Sequence, residues 1–300
     1  MKQILITGSS GFLGSRLLRH FTHGEMSGKY TVHGVGSREL DIRSLDAVRR
    51  LIEDMQPDWV IHCAAISSTT ACASDPALSR AVNADGAINV AKACSCAGSK
   101  MVFCSSDQVY FGECGGHPGD LSSHSETEEL HPSGIYGIHK LEAEMGSAAI
   151  LKDTVCLRLS WMYDTVQPEG QAQHSDLYTT LRALAADGHA ARAFSANDYR
   201  SITWVSDVAA NMEAALRLPG GVYNFGSGND MSTWETARGF MSRMGGKEEQ
   251  ILKDSQAFAG RPRNLRMSVR KAEAFGIHFP QAARGFECAL KAAQQQKMQP

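Results

Sequence analysis

Short apolar runs alternate with longer segments whose apolar residues recur at helical spacing, and the alternation persists through the first half of the chain. Ile4–Thr7 reads as a strand, Gly8–Gly14 as a glycine-rich turn and Phe12–Phe21 as a helix. Tyr30–Val35 is a second strand, and Leu45–Met55 carries a helical stripe at Leu45, Val48, Leu51, Ile52 and Met55. Trp59–Cys63 is a third strand, Ala77–Ala97 a long helix stopped by Gly98, and Met101–Ser105 a fourth strand. Gly134–Ala149 reads as a helix and Val155–Leu159 as a fifth strand. This rhythm predicts an α/β fold, a doubly wound parallel sheet of the Rossmann type. Its crossovers are right-handed and its ligand crevice lies at the carboxyl ends of the strands.

The pattern changes after about residue 160. Gln167–His174 is polar and reads as a loop; Leu177–Ala186, Thr233–Met244 and Lys271–Phe275 read as helical, and Gly220–Phe225 as a strand. A helix over Ser206–Leu218 is expected to be capped by Ser206-Asp207. The division that follows is a dinucleotide-binding domain over 1–160, with 200–218 packing on it. Residues 161–199 and 219–300 then form a smaller C-terminal α/β lobe that covers the crevice and binds substrate.

The chain has 300 residues, of which 43% are hydrophobic, enough to bury a core as one large domain or two coupled ones. A formal charge of −2 offers no global field to nucleic acid or a membrane surface. No apolar run approaches bilayer length. Met1–Gly8 already reads as a strand entering a turn, leaving no residues for a leader. Eight cysteines form no C-x-x-C pair, and Cys63, Cys104 and Cys156 sit in strand-like runs. Buried free thiols in a reducing cytoplasm are expected, with neither a disulfide framework nor a zinc site. Cys94-Ser95-Cys96 ends a small-residue helix. His117, His124 and His131 flank a loop and His62 packs at a strand end; none has ligand spacing, so no metal is expected.

Thr7-Gly8-Ser9-Ser10-Gly11-Phe12-Leu13-Gly14 follows a strand and opens a helix, as a dinucleotide cradle requires. Gly8 permits the tight turn, Gly11 lets backbone approach a pyrophosphate, and Gly14 lets the helix pack closely. The phosphates then meet free amides at the positive end of the helix dipole. Downstream, Tyr136-Gly137-Ile138-His139-Lys140 places a phenol and an ammonium on one helix face. Of the seven tyrosines, only Tyr136 has a lysine four residues on.

These motifs, together with Asp41-Ile42 and His62-Cys63-Ala64-Ala65, resemble the extended short-chain dehydrogenase/reductase family over nearly the whole chain. The resemblance is strongest to its dTDP-4-dehydrorhamnose reductase branch. Ser105-Ser106-Asp107-Gln108-Val109-Tyr110, Leu157-Arg158-Leu159-Ser160-Trp161-Met162-Tyr163 and Gly260-Arg261-Pro262-Arg263-Asn264 carry it. The family pattern implies that Ser106, Tyr136 and Lys140 are catalytic. Ser106 would orient the substrate oxygen, Tyr136 exchange a proton with it while hydride moves, and Lys140 bond the nicotinamide ribose. The ammonium and the cationic oxidised ring are expected to favour the phenolate. It further implies that Gly8, Ser10, Gly11, Phe12, Leu13, Ser37, Arg38, Asp41, Ile42, Cys63, Ala64 and Ala65 join Tyr136 and Lys140 around the cofactor, with Asn83 supporting that side.

Two positions discriminate within the family. The second strand ends Gly36-Ser37-Arg38 with no carboxylate until Glu39, so Arg38 is expected to pair a 2′-phosphate. NADP(H) is favoured, with NAD(H) as the alternative. Relatives that dehydrate nucleotide sugars carry an Asp-Glu pair, whereas this chain has Asp107 and Gln108, and an amide takes no proton at neutral pH. Asp107 either caps the loop or acts directly. Trp161 and Arg261 are expected substrate contacts; Tyr163, Trp204, Arg200 and Arg263 fall in the same regions. The expected activity is an NAD(P)H-dependent oxidoreductase reducing a keto group of a nucleotide-activated sugar. The alternatives are a 4-epimerase with retained NAD and a non-catalytic nucleotide-binding regulatory subunit. A homodimer is compatible with the resemblance.

Overall fold

A computed structural model describes residues 1–114, 119–166 and 176–298; His117 and the polar stretch Gln167–His174 lie outside the described residues. Six parallel strands form the central sheet: β1 (Lys2–Thr7), β2 (Tyr30–Val35), β3 (Trp59–His62), β4 (Lys100–Ser106), β5 (Val155–Leu159) and β6 (Gly221–Phe225). Their order is β6-β5-β4-β3-β1-β2. The chain leaves β1 to one side for β2 and returns to the other for β3. A crevice therefore opens beyond the carboxyl ends of β1 and β3, where the winding reverses.

Strand periodicity divides the core between the two faces of this sheet. Ile4 and Ile6 pack with Leu13, Leu17 and Phe21 of α1 (Phe12–Thr22), and Leu5 packs with Val48 and Ile52 of α2 (Leu45–Met55). The α2 face is completed by α3 (Gly86–Ala97) and α4 (Ile135–Ile150), through Ala87, Val90, Ala91 and Ala143. A separate apolar cluster joins α5 (Leu177–Asp187), α7 (Thr233–Arg243) and α8 (Ala282–Met298) through Leu181, Phe240 and Phe286. The Phe240 and Phe286 rings stack at 3.7 Å between centroids. Three two-stranded parallel pairs tie this cluster together, among them Asp198–Arg200 with Arg263–Leu265. Helix α6 (Val205–Ala215) instead adds Val205, Val208 and Met212 to the α1 face of the sheet.

Three expectations change. The helix expected at Ser206 starts at Val205, and its N-cap is Trp204 with no side-chain cap bond. Ser206 and Asp207 thus lie inside the first turn, because the strand Ile202–Trp204 runs straight into the helix. The long helix over 77–97 is interrupted by a π turn at Ala81–Asp85. There Asn83 turns inward, accepting from the Ile66 amide at 2.8 Å and donating to the Ile66 carbonyl at 3.0 Å. The helix Ala282–Met298 was not anticipated. It is rich in alanine, glutamine and lysine, and its buried stripe of Ala282, Phe286 and Ala289 carries one large side chain between two small ones.

A buried ion pair locks α4 to the sheet. Arg158 of β5 meets Glu144 of α4 at 2.7 Å, with both side chains at least 96% shielded from solvent. Ser105 also donates to Glu144, and Arg158 donates to Tyr110 Oη at 2.9 Å. Removing one partner strands the other charge in the interior. Glu144→Ala is expected to lose about 3–5 kcal/mol in urea unfolding, and a Glu144→Leu/Arg158→Met double variant to recover most of it. A single variant within ~1 kcal/mol of the parent would show that this pair is not an anchor.

Candidate active site

The glycine-rich turn is built by contact of backbone with backbone. A methyl group on Gly14 would lie 2.2 Å from the Gly8 carbonyl oxygen, so only glycine lets α1 begin this close to the end of β1. Gly11 caps α1 without a side-chain bond, leaving its first amides directed outward. Gly8 and Gly11 lie on both of two adjoining cavities. One, of about 620 Å³, is also lined by Phe12, Leu13, Ser106, Gln108, Tyr136, Lys140, Trp161 and Arg200. The other, of about 480 Å³, is also lined by Ser10, Ser37, Asp41, Ile42 and Ala64. Cys63 and Ala65 line both. The expected cofactor residues are thus gathered along one trough, except Arg38, which is exposed and lines neither cavity.

A second close approach sets the reactive end. A Cβ at Gly137 would stand 2.3 Å from the Gln108 carbonyl oxygen, so α4 lies hard against the turn that follows β4. Tyr136 and Ser106 are thereby brought to one wall. Lys140 is 2% exposed, donates to the Cys104 carbonyl at 2.9 Å, and lies 4.7 Å above the Phe103 ring. Burial pulls its pKa down to about 8, against the opposing pull of Cys104, Cys63 and Glu144. Tyr136 is set by its surroundings in the protein alone. Burial and then the Asp107 carboxylate push its pKa above the ordinary phenol value, and hydrogen bonding to Ser106 only partly offsets them. The Lys140 ammonium stands 5.8 Å from the Tyr136 ring centroid and is committed to a carbonyl, so the phenol keeps its proton.

Asp107 is 3% exposed, and its Oδ2 has no hydrogen-bond partner among the described residues. Burial raises its pKa, with Arg200 the largest opposing influence. Arg200 lies over Trp161 at 5.2 Å and 3.8 Å from Asp198, with its Nε unbonded among the described residues. Arg263 is engaged elsewhere, forking onto Asp198 with two contacts of 2.7 Å. Tyr163 is fully buried, and Trp204 donates to Asp164 at 3.4 Å. Arg261 is exposed and donates to the Gly112 carbonyl at 3.1 Å. His62 binds Thr7 Oγ1 at 2.7 Å, and burial lowers its pKa to about 3.

Two participants were not legible in the motifs. Glu39 folds back so that its carboxylate accepts from the Gly36 amide at 2.8 Å. Ser10 Oγ and Glu39 Oε2 would each approach a Gly36 Cβ within 3.0 Å, so a carboxylate does stand at the end of β2, beside the glycine-rich turn. Asn83, noted only as support, holds both polar groups of Ile66. It thereby pins the start of the Ser67–Thr69 segment that lines the larger cavity.

Among the described residues, no group of three or more histidines, cysteines, aspartates or glutamates is arranged to hold a metal ion. Nor is any helix among them long and apolar enough to cross a membrane. The chain is 29% identical over 266 residues to dTDP-4-dehydrorhamnose reductase of Mycobacterium tuberculosis, covering 87% of this chain and 82% of that one. It is 30% identical over 230 residues to dTDP-4-dehydrorhamnose reductase of Streptomyces griseus, covering 73% and 69% respectively. In fold it matches dTDP-4-dehydrorhamnose reductase of Bacillus anthracis, solved in complex with NADP, with a TM-score of 0.83 at 23% identity over 97% of this chain and 99% of that one. Residues 1–296 match the family described as RmlD substrate binding domain. The chain belongs to that family, within the extended short-chain dehydrogenases/reductases.

Proposed function

We propose that the protein is an NAD(P)H-dependent reductase acting on a keto group of a nucleotide-activated sugar, in the manner of its dTDP-4-dehydrorhamnose reductase relatives. The observation that carries this reading is the common wall. Ser106, Tyr136 and Lys140 line the same cavity as Gly8, Gly11 and Gly14 of the dinucleotide turn. The outward amides at the start of α1 and the glycine contacts suit a pyrophosphate, and the Lys140 ammonium suits a ribose hydroxyl. When bound, the reduced nicotinamide supplies hydride to a carbonyl carbon.

The chain's own residues do the rest. Ser106 orients the carbonyl oxygen. Tyr136, neutral because it is buried, gives that oxygen its proton as negative charge develops there. Lys140 steadies the phenolate left behind. Trp161 offers a flat wall to the sugar and Arg200 donors to its oxygens, whereas Arg261, expected as a substrate contact, is exposed and lines neither cavity. Gln108 supplies no carboxylate for dehydration, which favours simple reduction. NADP(H) is the favoured cofactor, from the relative solved with NADP, and NAD(H) is a second candidate that Glu39 would accommodate at a ribose hydroxyl.

The defining experiment offers NADPH and NADH with a panel of nucleotide-activated 4-keto sugars and follows loss of reduced-nicotinamide absorbance. Stoichiometric consumption with a dTDP-linked 4-keto-6-deoxyhexose is expected. Interconversion of sugars with no net absorbance change would instead identify an epimerase. Tyr136→Phe should lose about 10²–10⁴ in kcat while NADPH affinity is kept, and near-normal turnover would remove the phenol from the mechanism.

The pH profile tests Lys140. Its ammonium is lost as pH rises through about 8, so kcat/KM should fall there. The residual activity of Lys140→Met should lack that limb; the same limb in the variant would place the titration elsewhere. Glu39→Gln removes a negative charge that faces a 2′-phosphate and should raise kcat/KM for NADPH relative to NADH about tenfold or less. An unchanged ratio would show that Glu39 does not read the ribose.

A further inference from the structure

Cys63 directly follows β3, Cys104 lies on the neighbouring parallel strand β4, and the proposed chemistry uses neither thiol. His62 of β3 is level with Phe103 of β4, so the next residues along, Cys63 and Cys104, stand side by side. Their sulfur atoms are 3.5 Å apart, and both side chains line the larger cavity. Both are free thiols. Laterally paired residues of adjacent strands have a Cα separation within the range that a disulfide spans, so closing the pair asks for little backbone movement.

We propose that Cys63 and Cys104 form an oxidisable dithiol site, whose reaction partner is a small hydroperoxide entering through the crevice and whose closure disables the dinucleotide trough. Cys63 is the more exposed of the two and reacts first. Its sulfur attacks one peroxide oxygen and the O–O bond breaks. A sulfenic acid forms, and the other oxygen takes up the thiol proton and leaves as water from hydrogen peroxide, or as the alcohol from an organic hydroperoxide. The Cys104 sulfur then displaces that hydroxyl. The S–S bond forms, the S–O bond breaks, and the hydroxyl leaves as water with the Cys104 proton. Two thiols are oxidised by two electrons in all, and one hydroperoxide is reduced. The Cys104 partner and burial hold the Cys63 thiol protonated, with Lys140 opposing them. This site therefore reacts slowly and under sustained oxidant, unlike a fast sensor.

The consequence follows from one bond. Lys140 is anchored on the Cys104 carbonyl, and Ala64 and Ala65, which line the trough, follow Cys63 directly. The sulfurs close from 3.5 Å to a bond of about 2 Å, so even a small adjustment of the two backbones acts on the Lys140 anchor and on the Ala64–Ala65 wall together.

Reduced protein is treated with hydrogen peroxide, quenched with catalase, alkylated and digested. Peptide mapping should find the Cys63 and Cys104 peptides joined, lighter by two hydrogens than their sum, and separated again by dithiothreitol. Cys96, which is exposed, gives the internal comparison. In Cys104→Ser the cross-link should be absent and Cys63 should progress to irreversible sulfinic acid. Recovery of both cysteines alkylated, or oxidised separately without a joined peptide in the parent protein, would overturn the proposal. NADPH affinity of the cross-linked fraction should be lost and should return with dithiothreitol; unchanged affinity would overturn the claimed consequence. A reduced protein that binds no NADPH would count against the proposed function and leave the peptide result to judge the dithiol.

Discussion

A single buried ammonium organises the reactive end of this molecule. Lys140 is almost wholly withdrawn from water, and a charge so placed must be paired or hydrogen-bonded. The Cys104 carbonyl and the face of Phe103 supply that support, both from β4. The same helix carries Tyr136 four residues before and Glu144 four residues after, on one stripe. The phenol faces the crevice, the ammonium sits behind it, and the carboxylate is tied to Arg158 and Ser105. The stripe thus passes from chemistry at one end to anchorage at the other.

The second constraint is closeness of backbone. At Gly14 the start of α1 meets the end of β1, and at Gly137 helix α4 meets the turn after β4. One contact shapes the phosphate end of the trough, and the other sets the distance between Tyr136 and Ser106. Because the winding reverses between β1 and β3, both open on the same edge of the sheet. The Asn83 π turn adds a third fixed point by holding Ile66 at the loop that joins the two cavities.

Most of this was legible in the sequence, because its causes are local. Strand and helix periods, the Gly8–Gly14 turn, the Gly98 stop and the spacing of Tyr136 and Lys140 are all properties of short segments. What escaped reading depends on the folded surroundings. The Tyr136–Lys140 spacing shows a phenol beside an ammonium but not that burial and Asp107 raise the phenol's pKa in the protein alone, because burial has no signature in a five-residue motif. The missing acid at the end of β2 was inferred from position alone, whereas Glu39 reaches it by folding back three residues. Ser206-Asp207 looked like a cap because the strand preceding them could not be foreseen. The Ala282–Met298 helix was overlooked because its buried stripe rests mostly on alanines, with Phe286 its one large buried side chain in the apolar cluster.

The central claim is that burial and Asp107 hold Tyr136 neutral and that a second positive charge beside Lys140 lowers its pKa. Ultraviolet difference titration of the phenol, with and without NADP⁺ and with Tyr136→Phe as the blank, measures this directly. The expected result is a phenolate signal that moves to lower pH on adding NADP⁺ and is absent from the blank. A phenolate signal already present near neutral pH without the dinucleotide, or one that NADP⁺ leaves unmoved, would contradict it.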